Sequence, residues 1–187
     1  MKSCFALSET PLPGLTLLQR KPFGDNRGFF ERLFCHQELQ AFVPGKNIMQ
    51  INHTLTTKIG TIRGIHFQYP PHTETKLVSC LHGEVYDVAV DLRQGSPTFL
   101  RWHAEILSGD NHKTLIIPEG FAHGFQTLTE KCEMLYLHTA AYHPNAEGGI
   151  HSQDPRLAIR WPLPISVLSS RDATHQLLLD DFTGITI

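Results

Sequence analysis

The sequence lacks a strong excess of charge of either sign, which argues against several kinds of partner. Its 187 residues include 16 Lys and Arg and 18 Asp and Glu, a formal net charge of −2 at pH 7. Nucleic acids and membrane surfaces are usually bound by a basic face, and no run of basic and aromatic residues occurs. Long apolar runs are also missing, since stretches such as 85–92 are short and interrupted by acids, whereas a spanning helix needs about 20 apolar residues. We therefore expect no nucleic acid and no membrane as partner.

Secretion signals and disulfide patterns are missing as well. Residues 1–13 contain no apolar run followed by a cleavage site. The cysteines form no CxxC pair and are widely separated, at Cys4, Cys35, Cys80 and Cys132. This spacing is typical of reduced thiols in a cytoplasmic protein.

The sequence has many histidines but lacks the usual pattern of a metal site. Barrels that bind iron or manganese usually offer His-x-His on a strand, and the 12 histidines include no such pair. After His66, the next candidates His72 and Glu74 fall in a proline-rich loop. Phosphate-binding and nucleophile motifs are absent too. We predict no metal and no cofactor, with a metal-dependent oxygenase or isomerase as an alternative.

Apolar and polar residues alternate with a period of two, which indicates β-strands. In 84–93, Tyr86 and Val88 fall on one face, and Asp87 and Asp91 fall on the other. The pattern predicts strands at 15–20, 28–34, 47–54, 61–68, 75–81, 84–93, 100–107, 113–117 and 132–139. It also predicts a short helix at about 36–42 and a helical segment after Leu168.

Many short strands without long helices predict an all-β fold, with a jelly-roll barrel and a few short helices. We expect a single domain over 1–187, with the barrel core at about 15–165 and a C-terminal segment at 166–187. Barrels of this type carry small-molecule sites where inward side chains converge. Polar residues on strand faces are therefore the candidates for function.

The segment 61–68 carries two such candidates, Arg63 and His66, on either side of Gly64. A regular strand would send these two side chains to opposite faces, so a shared site requires a bulge or a close backbone approach at Gly64. Taken alone, His66 is either a hydrogen-bonded core histidine or a catalytic residue.

The other candidates are isolated polar residues, and each has both a functional and a structural interpretation. His123, between two glycines and a proline, faces a cavity or lies in a tight turn. Lys76 is a functional cation or a solvated strand end, and Tyr136 is an acid or a core aromatic. Gln50 and Asn52 share a strand face, as a ligand-binding pair or a solvated pair would.

Taken together, several segments resemble the dTDP-4-dehydrorhamnose 3,5-epimerase family of the cupin superfamily. The resemblance runs from about Gly24 to Asp172. Its ordered motifs include GDNRGFF (24–30), RGIHFQ (63–68), KLV (76–78), GEVYDVAVDLR (83–93), SPTF (96–99), IPEGFAHGF (117–125) and LSSRD (168–172).

The resemblance implies a metal-independent homodimer that acts on a dTDP-linked 4-keto-6-deoxy sugar. His66 is then the base, oriented by Asp172, Tyr136 is the acid, and Lys76 lies near the 4-keto oxygen. The residues implied in substrate binding are Arg27, Gln50, Asn52, Arg63, His123, Glu147 and Arg171.

Some alternatives stay open within this reading. Inversion at both C3 and C5, or at C3 alone, fits the same residues, as does a cupin that binds nucleotide sugars without catalysis. The chain also departs from the family pattern at positions that bear on sugar and base preference: Arg32, Leu100, Ala141 and His151.

Overall fold

Two antiparallel β-sheets face each other in the computed structural model, which describes residues 3–40 and 43–187. The strands are β1 Phe5–Glu9, β2 Thr16–Arg20, β3 Phe23–Asp25, β4 Gly28–Phe30, β5 Gln50–Thr56, β6 Ile62–Gln68, β7 Lys76–His82, β8 Glu84–Asp91, β9 Trp102–Ser108, β10 Lys113–Ile117, β11 Phe121–Thr127, β12 Cys132–His138 and β13 Glu147–Gly149. The helices are α1 His36–Leu39 and α2 Ser170–Ala173, with a 3₁₀ turn at Pro144–Ala146.

The strand order is that of a jelly roll with one additional hairpin. One sheet has the order β1-β2-β10-β7-β12-β5, the other has the order β13-β6-β11-β8-β9, and β3 pairs only with β4. Every strand pair is antiparallel. The predicted all-β jelly-roll fold is therefore confirmed.

Apolar side chains from both sheets fill the space between them. This cluster includes Val78 and Met134 from the six-stranded sheet and Val85, Ala89 and Phe125 from the five-stranded sheet, all almost fully buried. Burial of such side chains is the main favourable contribution to folding. The packed cluster fills one part of the barrel, and polar side chains line another part.

The alternation along β8 does not separate a buried face from a solvated face, because both faces of this strand are covered. Val88 and Val90 pack outside the barrel, where the C-terminal segment covers them with Leu178 and Phe182. Asp87 points to the opposite side and has no exposed surface. Because the second face is the barrel interior, its acid is a buried polar group and requires a partner.

Most predicted elements are present with altered ends. The strand expected at 28–34 ends at Phe30, and the strand expected at 47–54 is shifted to Gln50–Thr56. The helix expected at 36–42 is found at His36–Leu39, and positions 41 and 42 lie outside the described residues. The strands β1, β3, β11 and β13 were not predicted. None of the helices in the described ranges has the length and apolarity needed to cross a membrane.

Candidate functional site

A cavity of about 580 Å³ opens between the two sheets, within the usual size range of small-molecule sites. Nine of the eleven residues singled out from the sequence line it: Asn52, Arg63, His66, Lys76, His123, Tyr136, Glu147, Arg171 and Asp172. The walls therefore combine cations, carboxylates, imidazoles and a phenol around one space.

His66 and Asp172 form a hydrogen-bonded dyad at this cavity. His66 Nε2 lies 2.7 Å from Asp172 Oδ1, and the second carboxylate oxygen accepts the Gly64 N–H at 3.2 Å. Helix α2 positions the carboxylate, because the Asp172 N–H bonds to the N-cap side chain of Ser169 at 3.0 Å. Nε2 also lies 3.2 Å from Arg171 Nη2, but the carboxylate is the shorter contact, so we assign the proton to Nε2. Nδ1 then keeps its lone pair and has no hydrogen-bond partner among the described residues.

The surroundings of Asp172 keep its carboxyl group ionised. Burial alone would raise its pKa, but the hydrogen bond and the charge of His66, the Gly64 N–H and the guanidinium of Arg171 together lower the pKa from 3.8 to about 2. An ionised carboxylate fixes the tautomer of the imidazole and stabilises the imidazolium form. The pair is therefore equipped to accept a proton.

A bulge in β6 brings Arg63 to the same side as His66. His66 is paired with His123 and Arg63 with Phe125, so three residue steps on β6 match two steps on β11. The additional residue is accommodated at Gly64, where φ is +113° and a Cβ atom would lie 2.6 Å from Gly124 Cα. The sequence-based requirement for a bulge or close approach at Gly64 is confirmed.

Tyr136 extends into the cavity from the opposite sheet, since it lies on β12 and His66 lies on β6. Its ring contacts the His123 ring edge-on, with centroids 6.1 Å apart. Burial raises the pKa of the Tyr136 phenol above its ordinary value. The group is therefore held protonated and can serve as a proton donor.

The ammonium group of Lys76 contacts one residue of the loop before β7 and one residue of β6. Its Nζ lies 3.3 Å from Glu74 Oε1 and 3.4 Å from the His66 carbonyl oxygen. Glu74 also binds His138, whose Nδ1 lies 2.8 Å from Glu74 Oε2. Both Glu74 and His138 line the cavity. From the sequence, His138 was assigned no role, and Glu74 was considered only as a metal-ligand candidate in a proline-rich loop. Their contact could not be predicted, because it depends on strand register.

A third imidazole–carboxylate pair at the cavity is formed by two buried residues, His123 and Asp87. His123 Nε2 is 2.9 Å from the carboxylate of Asp87, which is the partner that this fully buried acid requires. Arg63 donates from Nε to Thr56 at 2.9 Å, so its remaining guanidinium N–H groups are available toward the cavity. Asp87 was not predicted as a site residue, although its place opposite the apolar face of β8 was visible in the sequence.

Glu147 and Arg171 meet at the cavity rim. Arg171 Nη1 lies 2.9 Å from Glu147 Oε1, and the Tyr142 hydroxyl donates to the other oxygen at 2.9 Å. This hydrogen bond raises the pKa of Tyr142. The Tyr142 ring itself remains about half exposed, so a flat aromatic surface is presented beside a cation.

Two predicted binding residues do not line the cavity. Gln50 lies behind Asn52 and hydrogen-bonds to it. Arg27 lies on the β3–β4 hairpin with 85% of its side chain exposed, and it pairs with Asp25. Arg27 does not line the cavity of its own chain, because the hairpin pairs with neither barrel sheet, and its role in substrate binding stays a prediction.

One group of side chains has the composition of a metal site. His66, Asp172 and His175 place ligand atoms within 4.8 Å of one another. However, His66 Nε2 is engaged with Asp172, and the Arg171 guanidinium lies 3.2 Å from that nitrogen and 3.5 Å from Asp172 Oδ1. A cation is therefore already placed at these donors, and the set fits a hydrogen-bonded dyad better than a metal site.

Comparison with known proteins agrees with this geometry. A family model described as dTDP-4-dehydrorhamnose 3,5-epimerase matches residues 9–180. The dTDP-4-dehydrorhamnose 3,5-epimerase of Salmonella typhimurium is 44% identical over 172 residues, which cover 91% of this chain and 93% of the relative.

Solved structures show the same likeness in three dimensions. An epimerase from Legionella pneumophila in complex with dTDP-4-keto-L-rhamnose has a TM-score of 0.91 and 40% identity, with 98% of each chain covered. A 3′-monoepimerase from Streptomyces bikiniensis in complex with dTDP-quinovose has a TM-score of 0.82 and 28% identity, with 90% of this chain and 85% of that chain covered. The chain therefore belongs to the dTDP-4-dehydrorhamnose 3,5-epimerase family and is a carbohydrate epimerase.

Proposed function

We propose that the protein inverts C3 and C5 of a dTDP-linked 4-keto-6-deoxyhexose by moving protons next to the ketone. One observation carries the proposal. The imidazole of His66 and the phenol of Tyr136 enter the same cavity from opposite sheets. Inversion requires that a proton leave one face of a carbon and return on the other, and two groups on facing walls can reach both faces.

In the first step, His66 removes the proton from the carbon beside the ketone. The C–H electrons form the enolate, and the proton passes to the imidazole lone pair on Nδ1. Asp172, hydrogen-bonded at 2.7 Å, stabilises the resulting imidazolium without taking its proton. The base returns to its neutral form when it releases the proton to solvent.

The enolate oxygen requires a positive partner, because a C–H next to a ketone is a very weak acid. Lys76 is one of the cations that line the cavity, its side chain is only 10% exposed, and its Nζ lies 3.4 Å from the carbonyl oxygen of His66. A charge in a water-poor cavity stabilises a developing anion more strongly than it would in water. We assign Lys76 to the 4-keto oxygen.

In the second step, the Tyr136 hydroxyl gives a proton to the opposite face of the same carbon. The new C–H bond completes the inversion, and the phenolate regains a proton from solvent. Burial raises the pKa of the phenol, so the group is protonated at neutral pH. It can still donate, because the enolate carbon is a stronger base than the phenolate that forms.

The nucleotide diphosphate is anchored by the remaining cations and amides. Arg63 and Arg171 reach the cavity from different elements, and guanidinium groups bind pairs of phosphate oxygens. Asn52 adds an amide donor on the cavity wall, and the His123 ring lines the wall with its Nε2 held by Asp87. Tyr142, exposed at the rim, offers its ring to the nucleobase.

Double inversion is favoured over inversion at C3 alone. The chain is 44% identical to a 3,5-epimerase and 28% identical to a 3′-monoepimerase. The two reactions share the dyad and the ketone, and they differ in whether the second carbon also exchanges its proton.

Incubation of dTDP-4-keto-6-deoxy-D-glucose with the protein in deuterium oxide tests this function. We expect NMR to show deuterium at both C3 and C5 of the product, because each new C–H bond receives a solvent-derived proton. Label at C3 alone would contradict double inversion. No label and no product would leave only a nucleotide-sugar-binding role, and activity that requires stoichiometric iron or manganese would favour the metal-dependent alternative.

We also propose that the enzyme is a homodimer in which the β3–β4 hairpin of each subunit covers the cavity of its partner. The hairpin exposes three aromatic side chains, each more than 60% exposed: Phe23, Phe29 and Phe30. Strand β5 at the sheet edge also exposes Ile51 and Leu55. Apolar patches of this kind are typical of interaction surfaces, and such a dimer would bring Arg27 to a substrate. Sedimentation should give a dimer mass, and a fully active monomer would contradict the proposal.

A cytoplasmic location is proposed from the cysteines. All four are free thiols, and burial raises the pKa of Cys80 to about 12, so this thiol is poorly reactive. Unpaired cysteines are typical of reducing compartments. Recovery of the enzyme outside the cytoplasm on cell fractionation would contradict this location.

A further inference from the structure

Five side chains form a continuous row of hydrogen bonds across the adjacent strands β5, β12 and β7, with one of the five in the loop just before β7. The members of this row, in order, are Gln50, Asn52, His138, Glu74 and Lys76. Gln50 Nε2 lies 3.1 Å from Asn52 Oδ1, and Asn52 Nδ2 lies 3.3 Å from His138 Nε2. His138 Nδ1 lies 2.8 Å from Glu74 Oε2, and Glu74 Oε1 lies 3.3 Å from Lys76 Nζ. The row connects two predicted binding amides to the proposed enolate-stabilising cation.

A single backbone group fixes the direction of every hydrogen bond in the row. The Tyr142 N–H donates to Gln50 Oε1 at 2.9 Å, so the amide nitrogen of Gln50 must face Asn52 Oδ1. The amide nitrogen of Asn52 then donates to His138 Nε2, which must carry a lone pair. The imidazole proton therefore lies on Nδ1 and is donated to Glu74. No two donors and no two acceptors face each other.

The carboxylate of Glu74 is the point at which this row meets a charge. Its side chain is 8% exposed, and those of Lys76 and His138 are 10% and 12% exposed. Burial alone would raise the pKa of Glu74, but the hydrogen bond from His138 and the charge of Lys76 lower it below its ordinary value. A buried carboxylate that is ionised requires both partners. The position of the Lys76 ammonium therefore depends on Glu74, and the orientation of Glu74 depends on His138.

We propose that Glu74 and His138 are positioning residues, which place Lys76 at the keto oxygen and connect its placement to the Asn52 amide on the cavity wall, which Gln50 orients. This role rests on the proposed function. It predicts that the row connects substrate binding with proton abstraction. Substitutions near Lys76 should therefore lower kcat, and substitutions at the Asn52 end should raise KM.

Substitution within the row tests this role. Glu74→Gln keeps the shape but places an amide N–H₂ against either the ammonium or the imidazole N–H, so Lys76 is displaced. Loss of an enolate-stabilising donor costs about 10²- to 10³-fold in kcat, and we expect displacement to cost about tenfold. His138→Ala should lower kcat similarly and also raise KM, because Asn52 loses its acceptor. Asn52→Ala should mainly raise KM.

Double variants distinguish positioning from simple structural damage. Because Glu74 and His138 act through one cation, the variant with both substitutions should be no slower than the slower single variant within about twofold. In a Lys76→Met background, each substitution should change kcat by less than about twofold. The matched control is His103→Ala, since His103 and Glu105 form a 3.0 Å imidazole–carboxylate pair on β9, outside the cavity.

The outcomes distinguish failure of the positioning role from failure of the proposed function. Epimerase activity of the unsubstituted protein reports on the proposed function alone, and its absence would overturn both proposals. With that activity present, kcat within twofold in Glu74→Gln and His138→Ala would overturn the positioning role. Losses that multiply in the double variant, or that persist in the Lys76→Met background, would also overturn it. If His138→Ala does not fold, the isosteric Glu74→Gln variant carries the test.

Discussion

Replacing His66 with alanine is expected to lower kcat for epimerisation by about 10³-fold, because positioned general bases contribute about 10²- to 10⁴-fold. Neither Asp172 nor His123 is suited to take over the role. Asp172 is ionised but weakly basic, with a pKa of about 2, and His123 is engaged with Asp87 at 2.9 Å. Proton exchange at both C3 and C5 should be lost together, since one base serves both carbons. Turnover and deuterium uptake, followed by NMR, measure the two effects.

A matched histidine shows whether the effect is specific. His103 has a side-chain exposure of 20% and a 3.0 Å contact with Glu105, against 21% and 2.7 Å for His66 and Asp172. His103 does not line the cavity, so His103→Ala should retain turnover within about twofold. Thermal unfolding should be similar in the two variants. Substantial turnover in His66→Ala would contradict the assignment of the base.

Replacing Tyr136 with phenylalanine should separate proton removal from inversion. His66 remains intact in this variant, so substrate protons continue to exchange with solvent. The acid on the opposite face is missing, and we expect epimerised product to form about 10²- to 10³-fold more slowly. Recovered substrate should therefore carry deuterium at unchanged configuration, as seen by NMR in deuterium oxide.

Tyr86 provides the control for the phenol. Burial raises the pKa of Tyr86 as well, but its ring packs against Trp161 on the outside of the five-stranded sheet. Tyr86→Phe should retain full rates of exchange and inversion. If Tyr136→Phe were to form inverted product at the normal rate, another group would have to be the acid.

The sequence was sufficient to predict the elements that alternate regularly, and it failed where alternation is absent. The alternating segment 132–139 was predicted and is found as β12. Strand β11, by contrast, is buried at every position and contains Gly124, so its residues show no period of two. A strand with both faces buried has no polar side to reveal it.

Site residues that the family resemblance implies could be predicted from the sequence. Residues whose role arises only from tertiary contacts could not. Nine predicted residues line one cavity, although they come from β5, β6, β7, β11, β12, β13 and α2. Glu74 and His138 are 64 positions apart and meet only because β7 and β12 are paired in register. Arg27 is a motif residue that lies on an exposed hairpin of this chain, and only the proposed dimer would bring it to a substrate.

A crystal structure of the protein with a bound thymidine diphosphate sugar would show directly which groups face the two sides of the hexose ring. We expect the ring to lie between the two sheets, with the His66 imidazole on one face, the Tyr136 hydroxyl on the other and Lys76 Nζ at the keto oxygen. A ring bound outside this cavity, or an imidazole and a phenol on the same face of the sugar, would contradict this placement.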